Sequence, residues 1–328
     1  LAFNVDKIYM PTITLQPSNL SFVTESEETI LQAALRQNIT LPYSCKTGKC
    51  DSCLATTATD GQEPHSIRTC TTVPEQDMTL ELDLLTELTS IQVKTLPCRI
   101  AALKQVSQDV MVLTLRTPPN QALRFVAGQY IDVIKGDIRR SYSIASSPDA
   151  ANIELHIRKV EGGKFSQYLF EQAQVNDLLR LAGPFGTFFR RDSSRLTKKP
   201  MILLAGGTGF APLQSMIQTM INADDDTPVW LYWGNLFTSG FYSDLPSTWA
   251  TAYKHLQYHP VCSEPLNTEW QGRTGLVHHA VLADFSTLKG FDVFACGSPA
   301  MIEAAKQDFI QAGLEPKAFY ADAFLPST

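Results

Sequence analysis

The sequence predicts a multidomain chain, α+β in its first part and α/β at its end, with an antiparallel β-barrel between them. Three observations carry that reading. A compact cysteine run from Cys45 to Cys53 lies between a helical pattern and an alternating strand. From Cys98 to about Leu196, short strand patterns are separated by Gly and Pro turns, which suits a small antiparallel barrel. From Pro200 onward, short apolar strands alternate with helices, which means a parallel sheet. The expected domains are residues 1–90, 97–196 and 197–328, with residues 89–97 as a linker.

Composition narrows the class. The 328 residues are 44% hydrophobic and 18% charged, enough for two or three domains with sizeable cores. The net charge of −6 argues against a nucleic-acid partner. No apolar run approaches the roughly 18 residues of a membrane span. No signal-peptide pattern opens the chain, and the seven cysteines do not form a disulfide framework, so a reducing cytoplasm is expected.

In the first domain, residues 8–23 alternate around Pro17-Ser18-Asn19 and read as a β-hairpin. Ser26 to Asn38 reads as a helix, with Ile30, Leu31, Ala34 and Leu35 on one face and Arg36 near its end. Pro42 stops it. Cys45, Cys50 and Cys53 then give the spacing C-x4-C-x2-C, that of a plant-type [2Fe–2S] centre. Each iron there needs two thiolates, and Gly48 lets the loop fold closely around the inorganic core. Cys70 is the expected fourth ligand. A zinc site is the alternative, but such sites usually pair two C-x2-C units and only one occurs. Leu80, Leu82 and Leu84 alternate with polar residues as a closing strand. Hairpin, helix, metal loop and strand together suggest a β-grasp domain.

A cluster implies a supply of electrons, and two motifs in the barrel region suit a flavin. Arg140-Ser141-Tyr142-Ser143 offers a cation for a pyrophosphate, an aromatic ring for the isoalloxazine and a small hydroxyl near its reactive edge. Alternate residues of a strand share a face. Alone, such a string is equally well a half-exposed strand. Gly162-Gly163-Lys164-Phe165-Ser166 strengthens it, because glycines before a helix leave N–H groups for phosphate and Ser166 adds a donor.

In the last region, Met201 to Ala205 is a buried strand, and Gly206-Gly207-Thr208-Gly209-Phe210-Ala211-Pro212 leads from it into a helix through Ile221. A dinucleotide pyrophosphate requires that context. A tight strand-to-helix turn is the plainer explanation. Val229 to Trp233 is the next strand. Phe291 to Cys296 is a late one, followed by Gly297-Ser298-Pro299 and a helix to about Ala312. Both glycine loops end strands of one sheet and would line one crevice. Cys296 reads equally as a buried core thiol.

Cysteine loop, R-x-Y-S, G-x-x-S, G-G-T-G-x-x-P and C-G-x-P-x-M occur in one order. As a set they resemble the ferredoxin–NAD(P)H reductase superfamily with an N-terminal ferredoxin domain, over essentially the whole chain. Within it the chain resembles the CDP-6-deoxy-3,4-glucoseen reductase group and, more loosely, the reductases of aromatic-ring oxygenases. Further carriers of the resemblance are Glu154-Leu155-His156-Ile157-Arg158, Leu231-Tyr232-Trp233-Gly234, Gly272-Arg273-Thr274-Gly275 and the tail Phe319-Tyr320-Ala321-Asp322-Ala323-Phe324.

The resemblance implies an NADH-dependent oxidoreductase. Arg140 to Ser143, His156 to Arg158 and Gly163 to Ser166 would hold FAD. Gly206 to Gly209, Pro212, Cys296 and Gly297 would hold the nicotinamide nucleotide. Phe324 would lie near the flavin ring, and Tyr142, Ser143 and Cys296 would be the residues nearest the chemistry. Cys45, Cys50, Cys53 and Cys70 would ligate the cluster. The chain departs from the pattern at the short interval between Cys53 and Cys70, at Asp51, and at Asn235 to Ser239. No basic residue occurs from Val229 through Tyr253, which favours NADH over NADPH, since a 2′-phosphate wants an Arg or Lys. Electrons would pass from NADH through FAD and the [2Fe–2S] cluster to a transiently docked protein, a dehydrase or an oxygenase component. The alternatives are the reductase of a ring-hydroxylating or other monooxygenase system, a free-flavin reductase, and an electron-carrier module.

Overall fold

A computed structural model describes residues 9–44, 46–48, 52–58, 63–82, 84–265 and 270–324. The chain forms two compact units, Leu1–Ser90 and Ile91–Thr328.

The first unit carries strands β1 (Thr12–Gln16), β2 (Leu20–Val23), β3 (Leu54–Thr57), β4 (Ser66–Arg68) and β5 (Met78–Glu81), and helix α1 (Ile30–Arg36). Their order in the sheet is β2-β1-β5-β3-β4, with β1 and β5 parallel and the other pairs antiparallel. Ile13, Leu15, Phe22, Ile30, Leu31, Ala34, Leu41 and Leu80 fill the core between sheet and helix. The helix begins at Ile30, not at Ser26. Glu27 takes a left-handed φ of 61°, and Thr29 and Gln32 close a reciprocal capping box that fixes the start.

In the second unit, β6 (Lys94–Gln105), β7 (Val110–Arg116), β8 (Tyr130–Lys135), β9 (Ile138–Ser143), β10 (Ile153–Arg158) and β11 (Leu178–Phe185) form an antiparallel sheet in the order β10-β7-β6-β11-β8-β9. A bridge between Ile144 and Leu155 joins its two ends and nearly closes a barrel. The expected linker is partly strand. β6 starts at Lys94 because Leu96 and Cys98 alternate into the core, followed by Ile100, and Lys94 to Arg99 pair with β11. Helix α2 (Lys164–Glu171) covers one end. Cys98 is buried, and burial pushes its thiol up to about 12.

After α3 (Asp192–Leu196) the chain enters a parallel sheet of β12 (Met201–Gly206), β13 (Val229–Asn235), β14 (Leu256–Cys262), β15 (Arg273–Thr274), β16 (Asp292–Gly297) and β17 (Phe319–Ala323). Its order is β15-β14-β13-β12-β16-β17. Helices α4 (Phe210–Asn222), α5 (Leu245–Ala252), α6 (Val277–Asp284) and α7 (Pro299–Gln311) follow strands in turn. Two apolar clusters, one on Leu203, Phe210 and Leu231 and one on Ile202, Leu204 and Phe309, bury both faces. From β12 the chain runs first to β13 on one side and later to β16 on the other. The crevice at the carboxyl ends of these strands is therefore a topological switch point.

Candidate cofactor and electron-transfer site

The crevice is built from backbone without side chains. β12 ends at Gly206, a single 3-10 turn covers Gly207–Gly209, and α4 starts at Phe210. Gly207 takes φ +54, and a Cβ there would come 3.0 Å from the Arg158 guanidinium. A Cβ on Gly209 would lie 2.1 Å from the Cys296 carbonyl oxygen, and one on Gly206 would meet the Met301 sulfur at 2.8 Å. Only glycine lets the two loops approach this closely. No side chain caps the turn, so the anion-facing N–H groups are those of Gly207 to Gly209, while the Phe210 N–H that opens α4 is bonded back to the turn's carbonyls. Thr208 and Pro212 are buried. These loops fit a dinucleotide pyrophosphate. Gly209→Ala is expected to destabilise the parallel-sheet region by about 1–3 kcal/mol through overpacking and, where these loops hold the nicotinamide nucleotide that the sequence resemblance implies, to raise its KM. Urea denaturation and steady-state kinetics measure the two effects.

On β9, Arg140 and Tyr142 share one half-buried face, as alternation requires. Ser141 lies on the other face, where its hydroxyl donates to Asp132 at 2.5 Å beside Arg139, which donates to the same carboxylate at 2.7 Å. The Arg140 guanidinium is steadied by the Arg139 carbonyl at 2.7 Å. Phe165 is buried and its ring lies 5.8 Å from that of Tyr142. Burial raises the Tyr142 phenol well above its usual range against the opposing pull of Arg140, so it is a neutral phenol at working pH.

The Gly162-Gly163 loop reaches α2 as expected, and α2 also lacks a side-chain cap at Gly163. Ser166 is turned inward. Its oxygen accepts from the Val160 N–H at 3.1 Å and lies 2.9 Å from the Gly163 carbonyl. Its hydroxyl therefore shapes the loop, and the donors left for a phosphate are backbone N–H groups, with the exposed Lys164 at the helix start.

His156 holds the barrel against the sheet. Its Nδ1 is 2.9 Å from the Tyr242 hydroxyl and its Nε2 is 3.1 Å from Glu154 Oε1, which also accepts from Gln214 of α4 at 2.7 Å. The hydrogen bond from His156, with help from Gln214, keeps the Glu154 carboxyl below its usual range. Ile157 points into the barrel core. Arg158 pairs with Asp109 at 2.7 Å. Of these three residues, only Arg158 brings a side chain to the crevice.

The most informative contact joins the two sheets. The Ser143 hydroxyl donates to Asp322 Oδ2 at 3.0 Å, and the Cys296 thiol lies 3.9 Å from the same oxygen. All three residues are buried. Burial first, and Asp322 second, push the Cys296 thiol well above its usual range, so it is a neutral thiol and not a nucleophile. Asp322 pairs with Cys296 in the β16–β17 register. The Phe324 N–H donates to the Gly297 carbonyl at 2.9 Å, and its side chain is exposed.

In the first unit, Cys53 and Cys70 are buried with their sulfurs 3.1 Å apart. That is too long for a disulfide and shorter than the about 3.7 Å between two thiolates held about 2.3 Å from one tetrahedral metal, so both sulfurs face one point and a small separation would let them share a metal centre. Thr69 holds Cys53 in place through its N–H at 3.1 Å and its hydroxyl at 3.2 Å, both to the Cys53 carbonyl. Between the two cysteines, β3 and β4 pair antiparallel, Leu54 with Arg68 and Thr56 with Ser66. Gly48 takes φ +75 in the loop. Cys45, Cys50 and Asp51 lie outside the described residues.

Comparison with known proteins agrees with this arrangement. The "2Fe-2S iron-sulfur cluster binding domain" family matches residues 13–75, the "Oxidoreductase FAD-binding domain" family residues 97–189, and the "Oxidoreductase NAD-binding domain" family residues 203–307. The CDP-6-deoxy-L-threo-D-glycero-4-hexulose-3-dehydrase reductase of Yersinia pseudotuberculosis is 44% identical over 96% of this chain and 98% of its own length. The chain belongs to the ferredoxin–NAD(P)H reductase superfamily with an N-terminal [2Fe–2S] domain. It is an NAD(P)H-dependent oxidoreductase. The phenol hydroxylase P5 protein of Acinetobacter pittii is 31% identical to this reductase, over 95% of this chain and 94% of its own. A cytochrome P450 reductase structure from Amycolatopsis has the same fold, with a TM-score of 0.76 and 24% identity over 96% of this chain and 99% of its own.

Sequence reasoning missed three residues that join barrel and sheet around the crevice: Asp322 on Ser143, Tyr242 on His156 and Gln214 on Glu154. Asp322 had a signal, a lone acid inside an apolar strand of the quoted tail. Tyr242 and Gln214 had none, because each acts only through a partner on the barrel.

Proposed function

We propose that this reductase takes electrons from NADH and delivers them, through FAD and its [2Fe–2S] cluster, to a dehydrase acting on a CDP-linked deoxyhexulose. When bound, FAD supplies the change from a two-electron hydride donor to single electrons, and the cluster accepts electrons singly. The chain's residues set position and access. Arg140 and the uncapped start of α2 are suited to the flavin pyrophosphate. Tyr142, backed by Phe165, gives the ring a rigid aromatic wall. The glycine loops at residues 206–209 and 296–297 are suited to the NADH pyrophosphate. Ser143, held by Asp322, presents its oxygen in a fixed direction at the meeting point of barrel and sheet. Cys296 fills the floor beside it as a neutral, water-excluding group. Cys45, Cys50, Cys53 and Cys70 are the proposed cluster ligands.

The observation that carries the reading is the Ser143–Asp322–Cys296 junction. It supports the reading because an oriented hydroxyl lies where β9 of the barrel meets β16 and β17 of the sheet. The choice of acceptor rests on the 44% identity to a dehydrase reductase along the full chain, against 31% for an oxygenase-type relative. Purified reductase would be paired with a CDP-hexulose dehydrase and, separately, with a phenol hydroxylase, with NADH and NADPH compared in each. Faster turnover with the dehydrase and with NADH is expected. Faster turnover with the hydroxylase would move the reading to the oxygenase class.

A further inference from the structure

We propose that His278, His279 and Asp308 form a binding site for one divalent transition-metal ion of the zinc class, bridging helices α6 and α7. The site uses no residue assigned above to cofactor or electron transfer. His278 Nε2 lies 3.4 Å from Asp308 Oδ2, and His279 Nε2 lies 3.7 Å from the same oxygen. One ligand atom from each of the three residues lies within 4.8 Å of the others, and among the described residues no other group of His, Cys, Asp and Glu does this.

Magnitudes separate this arrangement from ordinary ion pairing. A charge-assisted N–H···O⁻ hydrogen bond closes to about 2.8 Å, and neither contact does. Ligand atoms about 2.0 Å from a tetrahedral zinc sit about 3.3 Å from one another. The two contacts to Asp308 are near that spacing already. Two imidazoles and one carboxylate are the donor set of zinc and its neighbours, and a poor one for calcium or magnesium. Asp308 is half-buried and the His279 side chain is 62% exposed, so the site opens to solvent and water can complete the coordination. His278 is buried, and its Nδ1 has no hydrogen-bond partner. The fold therefore does not hold that ring in one tautomer, and Nε2 can present its lone pair. The missing outer partner also lowers affinity, which makes this an exchangeable site and not a structural one. An ion there would tie α6, which follows the Gly272–Gly275 segment, to α7, which follows the Gly297 loop.

The test uses the full chain loaded with cluster and flavin and stripped of loose metal. Zinc is titrated in competition with a chelating dye, while cluster absorbance is followed to detect any uptake by the cysteine loop. One saturable site with a Kd on the order of micromolar is expected. Because losing an outer partner alone costs about tenfold or more, His279→Ala and Asp308→Asn should each weaken zinc binding by at least about tenfold. Without zinc, both variants should keep wild-type NADH oxidation. Equal zinc uptake by wild type and both variants, or no saturable uptake, would overturn the proposal.

Discussion

Replacing Cys70 by alanine is expected to yield a reductase that keeps its flavin, bleaches with NADH and shows no reduced-cluster EPR signal. The argument is local. A [2Fe–2S] centre needs four thiolates, and the Cys70 sulfur is turned onto that of Cys53 inside the β-grasp core. No other described cysteine lies in that unit. Alanine leaves one iron short of a ligand, and electron delivery to a protein acceptor should fall to background. The flavin and nucleotide regions belong to the other compact unit, so NADH-driven flavin bleaching should continue near the wild-type rate. A variant that kept a full cluster signal would mean that Cys70 is not a ligand.

The second large effect concerns Asp322. Asp322→Ala removes the acceptor of the buried Ser143 hydroxyl. Removing one preorganised polar group from a reacting centre typically costs about a hundredfold or more in rate, and a loss of that order in NADH-driven flavin reduction is expected by stopped flow. NADH affinity should change little, because the glycine loops are not touched by the substitution. Ser143→Ala should give a similar loss, and the double variant should lose little more than either alone, since the two residues act as one unit. Asp322→Asn keeps an acceptor oxygen and should fall between. A selective rise in NADH Kd with an unchanged limiting rate would instead assign Asp322 to binding.

The fold was legible because its signals are local. The run at Met201 to Ala205 and the glycine turn after it each announce an element within a few residues, whereas the closing strand expected over Leu80, Leu82 and Leu84 is β5, Met78–Glu81, which ends before Leu82. The helix starts four residues later than the pattern from Ser26 suggests, because Glu27 is left-handed and the Thr29–Gln32 box fixes the cap at Thr29. The β6 strand was hidden in the supposed linker because its first residues find partners only on β11.

The site divides the same way. Arg140, Tyr142, Ser143 and the glycine loops carry recognisable patterns. The hydroxyl of Ser166 and both nitrogens of His156 have partners inside the fold. Asp322, Tyr242 and Gln214 matter through partners 60 or more positions away. No window of sequence contains such a pair.

The central claim is that one chain carries electrons from NADH as far as its [2Fe–2S] cluster. An anaerobic titration with NADH, following flavin absorbance and the cluster EPR signal in the same samples, tests it most directly. Bleaching of the flavin together with growth of the reduced-cluster signal is the predicted result. Flavin bleaching with no cluster signal in the wild-type protein would contradict it, and would place the protein with free-flavin reductases instead.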